Sequence, residues 1–191
     1  GQIAAVHLTC EMAENPLAVV QNQPRLSWQL VSKELNVTQS AYQILVASSQ
    51  EKLKKDQGDV WDSGKVTSDK NLQISYSGNP LKPETKYFWK VKVWDQKDKT
   101  SNWSKLSYFR IAPDESDLKP TWIGAITKAD SHLPEGRNYH TATFNKEKKA
   151  SLINASDSLS RRSIMLRKPF VVSKEIKEAV VYISGLGHYE L

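Results

Sequence analysis

Leu81-Lys82-Pro83-Glu84-Thr85-Lys86-Tyr87-Phe88-Trp89-Lys90-Val91-Lys92-Val93-Trp94-Asp95 is the stretch that decides the fold. From Tyr87 onward it alternates: Tyr87, Trp89, Val91 and Val93 point one way, and Lys86, Lys90 and Lys92 point the other. A period of two, with aromatic and β-branched residues on one face, is the pattern of a half-buried strand. The lysines are expected to keep the second face in water and to discourage edge-to-edge pairing. Pro83 fixes a bend ahead of the strand, and Leu81 can drop into the core before it. Tyr87 stands where a tyrosine corner would place it, with a buried ring and a hydroxyl bonded back to the backbone.

Working outward, short alternating runs recur on both sides. Val6, Leu8, Cys10 and Met12 alternate with His7, Thr9 and Glu11, which predicts a first strand with the former set inward. Pro24–Leu30 predicts a second, with Leu26, Trp28 and Leu30 inward and the proline at its beginning. Ser40–Ser48 predicts a third, with Tyr42, Ile44 and Val46 on one face. Residues 51–57 have room for one helical turn. Val60–Val66 reads as one short strand ending in a glycine turn, and Leu72–Tyr76 as the next, closed by Ser77-Gly78-Asn79-Pro80. Gln96–Lys99 is a polar hairpin loop, and Lys105–Ile111 supplies the last strand. Seven short strands with turns between them and no helical period predict an antiparallel β-sandwich.

Ala112–Pro120 is polar, acidic and bounded by prolines, so the domain boundary is expected there. Beyond it come a short apolar anchor at 121–124, a strand over 139–144 and a polar loop over 145–160. Strands follow at 164–172 and 178–184, and another begins at 185–191. The domains read as 1–112, a linker over 113–119, and 120–191 as an incomplete second sandwich. The chain stops on an alternating pattern, and the expected reason is that it is cut from a longer protein. Strand edges exposed in this way predict that residues 160–191 are either poorly ordered or paired with another copy of the chain, a self-association through cut edges.

Bulk properties exclude several classes. No apolar run among the 191 residues is long enough to span a bilayer, so no membrane insertion is expected. Cys10 is the only cysteine, which excludes an internal disulfide and a cysteine-based zinc cluster. The N-terminus has no charged segment followed by an apolar one, as a signal peptide would. The expected location is nevertheless periplasmic or at the cell surface of a bacterium, which a single cysteine does not settle. The net charge is +6, but residues 1–112 hold 15 Lys+Arg against 11 Asp+Glu and residues 113–191 hold 12 against 10. That spread, without a basic stripe, argues against nucleic acid as a partner.

The order of features resembles a fibronectin type III-like, immunoglobulin-like module over roughly residues 3–112. More specifically, Asn15-Pro16-Leu17, Pro24–Trp28, Ala41–Ser48, Val60–Gly64, Tyr87–Asp95, Trp122-Ile123, Leu166–Phe170 and Ala179–Leu191 together resemble the N-terminal part of bacterial α-L-rhamnosidases. The resemblance implies an all-β chain, with the fibronectin III-like sandwich followed by a partial, jelly-roll-like second sandwich. It implies an inverting glycoside hydrolase whose carboxylates lie in an (α/α)6 barrel further along the parent chain. That barrel is the implied partner, no catalytic residue falls in this chain, and the chain by itself should hydrolyse nothing.

Local candidates for chemistry are few. An inverting glycosidase needs two carboxylates about 6.5–9.5 Å apart. Asp59/Asp62 and Asp95/Asp98 are near in sequence, but aspartates at turns commonly bond backbone amides. His7, His132, His140 and His188 have no spacing that sets two on one face as metal ligands, and neither metal nor cofactor is expected. Trp94 and Trp103 are the ligand-binding candidates: exposed indoles can stack on a pyranose, here of a rhamnose-containing glycan. Trp61 is weighed beside them, with core filling as the alternative for all three. A free-standing carbohydrate- or protein-binding adhesion module is the competing function to an accessory part of a rhamnosidase.

Overall fold

The computed structural model describes residues 3–114, 116–118, 167, 169–176 and 178–183. The chain divides into two compact units, Gly1–Pro120 and Thr121–Leu191.

In the first unit, β1 (Ala4–Cys10), β2 (Arg25–Val31) and β6 (Ile74–Ser75) form a three-stranded sheet in the order β1-β2-β6. A five-stranded sheet faces it. Its order is β4-β3-β7-β8, made of β4 (Trp61–Asp62), β3 (Gln39–Ala47), β7 (Lys86–Asp95) and β8 (Ser107–Arg110), with β5 (Val66–Thr67) also beside β3. Every pairing between these strands is antiparallel. This is an immunoglobulin-like sandwich, as the strand spacing predicts.

β7 runs through the middle of the large sheet, with Val46 opposite Trp89 on one side and Ser107 opposite Trp89 on the other. Its inner face, Tyr87, Trp89, Val91 and Val93, is buried against Leu26, Trp28, Tyr42, Ile44 and Phe109. The tyrosine corner is formed: the Lys82 backbone N–H donates to Tyr87 Oη at 2.9 Å. Between the sheets Trp28 meets Tyr42 edge to face at 5.3 Å, and Trp28 Nε1 donates to Gln39 Oε1 at 3.0 Å. Gln39 in turn donates to the carbonyls of Ser68 and Lys70. A buried amide is thereby satisfied at each polar atom it offers the core.

Three expectations for the first unit need correction. The first concerns β1, where Val6 pairs with Gln29 and Thr9 with Ser27, so one extra residue is accommodated at His7, whose φ is +48°. This bulge switches parity: Ile3 and Ala5 face the core before it, Leu8 and Cys10 after it. Val6 is only half-buried, and Met12, in the turn beyond the strand, is 77% exposed. The second concerns the run 60–66, which is divided between β4 and β5 by Gly64 at φ +61°, a left-handed position that favours glycine.

The third matters most. Lys90 is not in water: it is 7% exposed. α1 (Gln50–Lys54), capped by Ser49, lays Leu53 on Leu45 and Ala47 at the outer face of the large sheet, with Phe88, Trp103 and Leu106 around them. The helix thus ends over β7. Lys90 Nζ donates to the Leu53 carbonyl at 2.7 Å and to Asp56 Oδ1. A cation at the carbonyl end of a helix is favourably placed.

Asn15-Pro16 also has a structural task. Asn15, at φ +47°, accepts from Ser107 Oγ and the Tyr108 N–H, and the chain then runs along β8, pairing Val19 with Ile111. The segment therefore passes from the small sheet to the edge of the large one and closes it.

In the second unit, residues 169–176 and 178–183 are not in a strand, although strands are expected across them. Phe170, Val171 and Val181 stand exposed there, and no described residue pairs with them. The remainder of those expected strands, those at 139–144 and 185–191, the anchor at 121–124 and the loop over 145–160 lie outside the described residues.

Candidate functional site

The outer face of the five-stranded sheet gathers the candidate tryptophans. Parity along β7 puts Trp94 on the same face as Lys90 and Lys92. Trp103 arrives from the segment before β8, which is clasped to β7: Ser101 Oγ accepts from the Val93 N–H at 3.0 Å and Ser104 Oγ from the Val91 N–H at 3.1 Å. The Ser101 and Ser104 N–H groups return the bonds to Val93 and Val91 carbonyls, at 2.8 Å each. Trp103 is thereby held over the lysine column.

The result is a ladder of ammonium groups and indoles. Lys65 Nζ lies 4.9 Å from the Trp94 ring centroid and Lys92 Nζ 5.3 Å from it. Lys92 Nζ is also 4.6 Å from Trp103, and Lys90 Nζ is 4.8 Å from Trp103. Each such contact contributes roughly 0.5–2 kcal/mol, more as it is desolvated. Trp94 and Trp103 are both half-buried, and Lys92 joins them. A neutral pyranose stacking on either indole competes with ammonium groups already there. Trp61 belongs elsewhere: it packs edge to face on Tyr76 at 5.1 Å, beside Gly78, where a Cβ would lie 2.5 Å from Trp61 Cβ.

The paired aspartates are occupied. Asp59 accepts from the Ser48 N–H and hydroxyl and from Lys52 Nζ at 2.7 Å. Burial pushes its carboxyl up, but the Lys52 and Ser48 hydrogen bonds outweigh that and hold it at about 2. Asp62 accepts from Gln43 Nε2 and the Gly64 N–H. Asp95 is buried and accepts from the Lys97 and Lys99 N–H groups, shaping the β7–β8 loop, and Asp98 pairs with Lys65. None of the four is poised as an acid or base. Cys10 is buried, and burial, with Glu11 adding to it, pushes its thiol up to about 12, so it is no nucleophile at neutral pH.

Beside the β1 bulge lies a depression of about 300 Å³ lined by His7, Thr9, Met12, Glu14, Trp28 and Leu72. His7 Nδ1 is 3.6 Å from Glu14 Oε1. Glu14 is the one carboxylate lining it, which is half of what glycoside hydrolysis requires. Among the described residues no three His, Cys, Asp or Glu side chains are grouped to hold a metal ion. His132, His140 and His188 lie outside them. Sequence reasoning missed Lys65, Lys90 and Lys92 as partners of the indoles. Parity alone set Lys92 beside Trp94, but Trp103 and Lys65 come from loops.

A family model described as the Rha78A-like, N-terminal immunoglobulin domain matches residues 5–114, more than half of the chain. The chain belongs to this family. The match takes in the Rha78A-like sandwich from Ala5 onward, including the lysine–tryptophan face. An alpha-L-rhamnosidase of Formosa agariphila is 40% identical over 178 residues, covering 92% of this chain and 18% of the relative. The solved alpha-L-rhamnosidase of Dictyoglumus thermophilum is 42% identical, with a TM-score of 0.58 over 60% of this chain and 13% of that one. The Streptomyces avermitilis alpha-L-rhamnosidase, solved in complex with L-rhamnose, is 41% identical, with a TM-score of 0.60 over 65% and 12%. The chain thus spans less than a fifth of the length of each of these relatives.

Proposed function

We propose that this chain is a non-catalytic accessory part of an α-L-rhamnosidase, an inverting enzyme that releases terminal L-rhamnose from glycans. The carrying observation is the extent of the Formosa agariphila alignment. It runs over 178 residues, well past the 5–114 span of the immunoglobulin domain, yet takes in 18% of the relative. The engagement of Asp59, Asp62 and Asp95 in local hydrogen bonds supports the same reading, since inversion needs two available carboxylates. The sandwich then acts as a scaffold for a catalytic (α/α)6 barrel elsewhere in the parent chain. Residues 113–119 act as a linker, and 120–191 as the opening of a second, jelly-roll-like sandwich.

Calorimetric titration of the purified chain with L-rhamnose, with and without calcium, tests this. The scaffold reading expects no saturable heat in either case. Saturable rhamnose binding would replace it with a carbohydrate-binding module.

A further inference from the structure

We propose that the outer face of the five-stranded sheet binds an anionic polysaccharide, with a sulfate or carboxylate of the sugar seated on Lys92 between Trp94 and Trp103. Lys92 carries the argument. Its ammonium lies within 4.6 Å and 5.3 Å of two indole centroids and makes no ion pair with a described carboxylate. Indoles strip water from an ammonium and attract it, but they do not neutralise it. A half-buried cation without an anion gains more from an arriving one than an exposed lysine does.

Lys65 supplies a second cation beside Trp94. Its carboxylate partner, Asp98, has a side chain 74% exposed, so that pair exchanges readily for a ligand anion. The chain's net charge of +6 adds a long-range attraction for polyanions.

The same arrangement decides between polyanions. Single-stranded nucleic acid is held by bases stacking on aromatic ring faces. Here the rings of Trp94 and Trp103 are engaged by ammonium groups, whereas a saccharide needs only its anionic group on Lys92 and its C–H groups against the indole rims. The choice of carbohydrate rests on the rhamnosidase reading, but the two are tested separately, since neutral rhamnose carries no anionic group.

Affinity electrophoresis of the whole chain, in gels containing a sulfated galactan, a polyuronate or neutral dextran, tests the proposal. A fluorescent single-stranded oligonucleotide is titrated in parallel. Retardation is expected in the charged gels and not in dextran, and the stronger of the two charged gels identifies sulfate or carboxylate as the preferred group. Lys92→Gln should weaken retardation about tenfold, the size of one charge-assisted hydrogen bond. Lys65→Gln, exposed and harmless to folding, should weaken it by a smaller factor. Lys33→Gln, on the exposed loop after β2, should leave it unchanged. The proposal is overturned by an absence of retardation, by equal losses in Lys92→Gln and Lys33→Gln, or by oligonucleotide binding as tight as that of the polysaccharide. Thermal melts confirm that each variant is folded. Should Lys92→Gln unfold, an unchanged Lys65→Gln would overturn the proposal by itself.

Discussion

Trp89→Ala is expected to lower the unfolding free energy by about 3–5 kcal/mol, read from urea denaturation followed by circular dichroism. Trp89 is fully buried at the middle of β7, between Val46 and Ser107 on the neighbouring strands. Removing its ring opens a cavity where the two sheets meet, and packed neighbours relax into it only in part. A loss of that size is a large share of the roughly 5–15 kcal/mol that holds a domain together. Trp89→Phe is the informative partner variant. Trp89 Nε1 has no hydrogen-bond partner, so the phenyl ring forfeits volume but no bond. It should cost clearly less than the alanine change. Equal losses in the two variants would mean that the indole N–H, and not the packing, is what matters there.

Leu53→Ala should cost about 2–5 kcal/mol, a large effect for a residue in a five-residue helix. Leu53 is the buried residue of α1, and its side chain seals Leu45 and Ala47 on the outer face of the sheet. A helix this short does not persist without such packing. Losing the anchor therefore frees the Leu53 carbonyl and Asp56 from Lys90, and the ammonium returns to water. Amide exchange should quicken at Leu53, Lys55 and Asp56, whose N–H groups bond within the helix and its end. Leu35→Ala, at a residue 91% exposed, should change stability by less than about 0.5 kcal/mol. A Leu53 variant no less stable than the Leu35 variant would show that α1 is not docked on the sheet.

These residues show how far the sequence could be read. The inner face of β7 was fully legible, because alternation records which side a strand buries, and Tyr87 with Pro83 announced the corner. The outer face was not. Lysines at period two look the same in water and under a helix, and the residues covering Lys90 come from Leu53 and Trp103, distant in sequence. One hint was available: α1 offers a lone apolar residue, Leu53, which needs an apolar surface such as Leu45 and Phe88 provide. Val6 was misplaced because the bulge at His7 carries no glycine or proline to mark it, and Met12 because the strand ends at Cys10 and the chain turns there. Alternation along β7 places Trp94 on the lysine side, but its engagement by Lys65 and Lys92 depends on loop geometry that no spacing encodes.

The strand from Lys86 to Asp95 is thus buried on one face by the core and partly covered on the other, by α1 over Lys90 and by the clasped Trp103, with Asp95 spent on holding a loop. That leaves no active site among the described residues, in keeping with the proposed accessory role. Hydrolysis of an aryl α-L-rhamnoside by the purified 191-residue chain tests this most directly. The account predicts release of the aryl group no faster than in buffer at any pH where the chain is folded. Saturable turnover that co-purifies with the chain would contradict it.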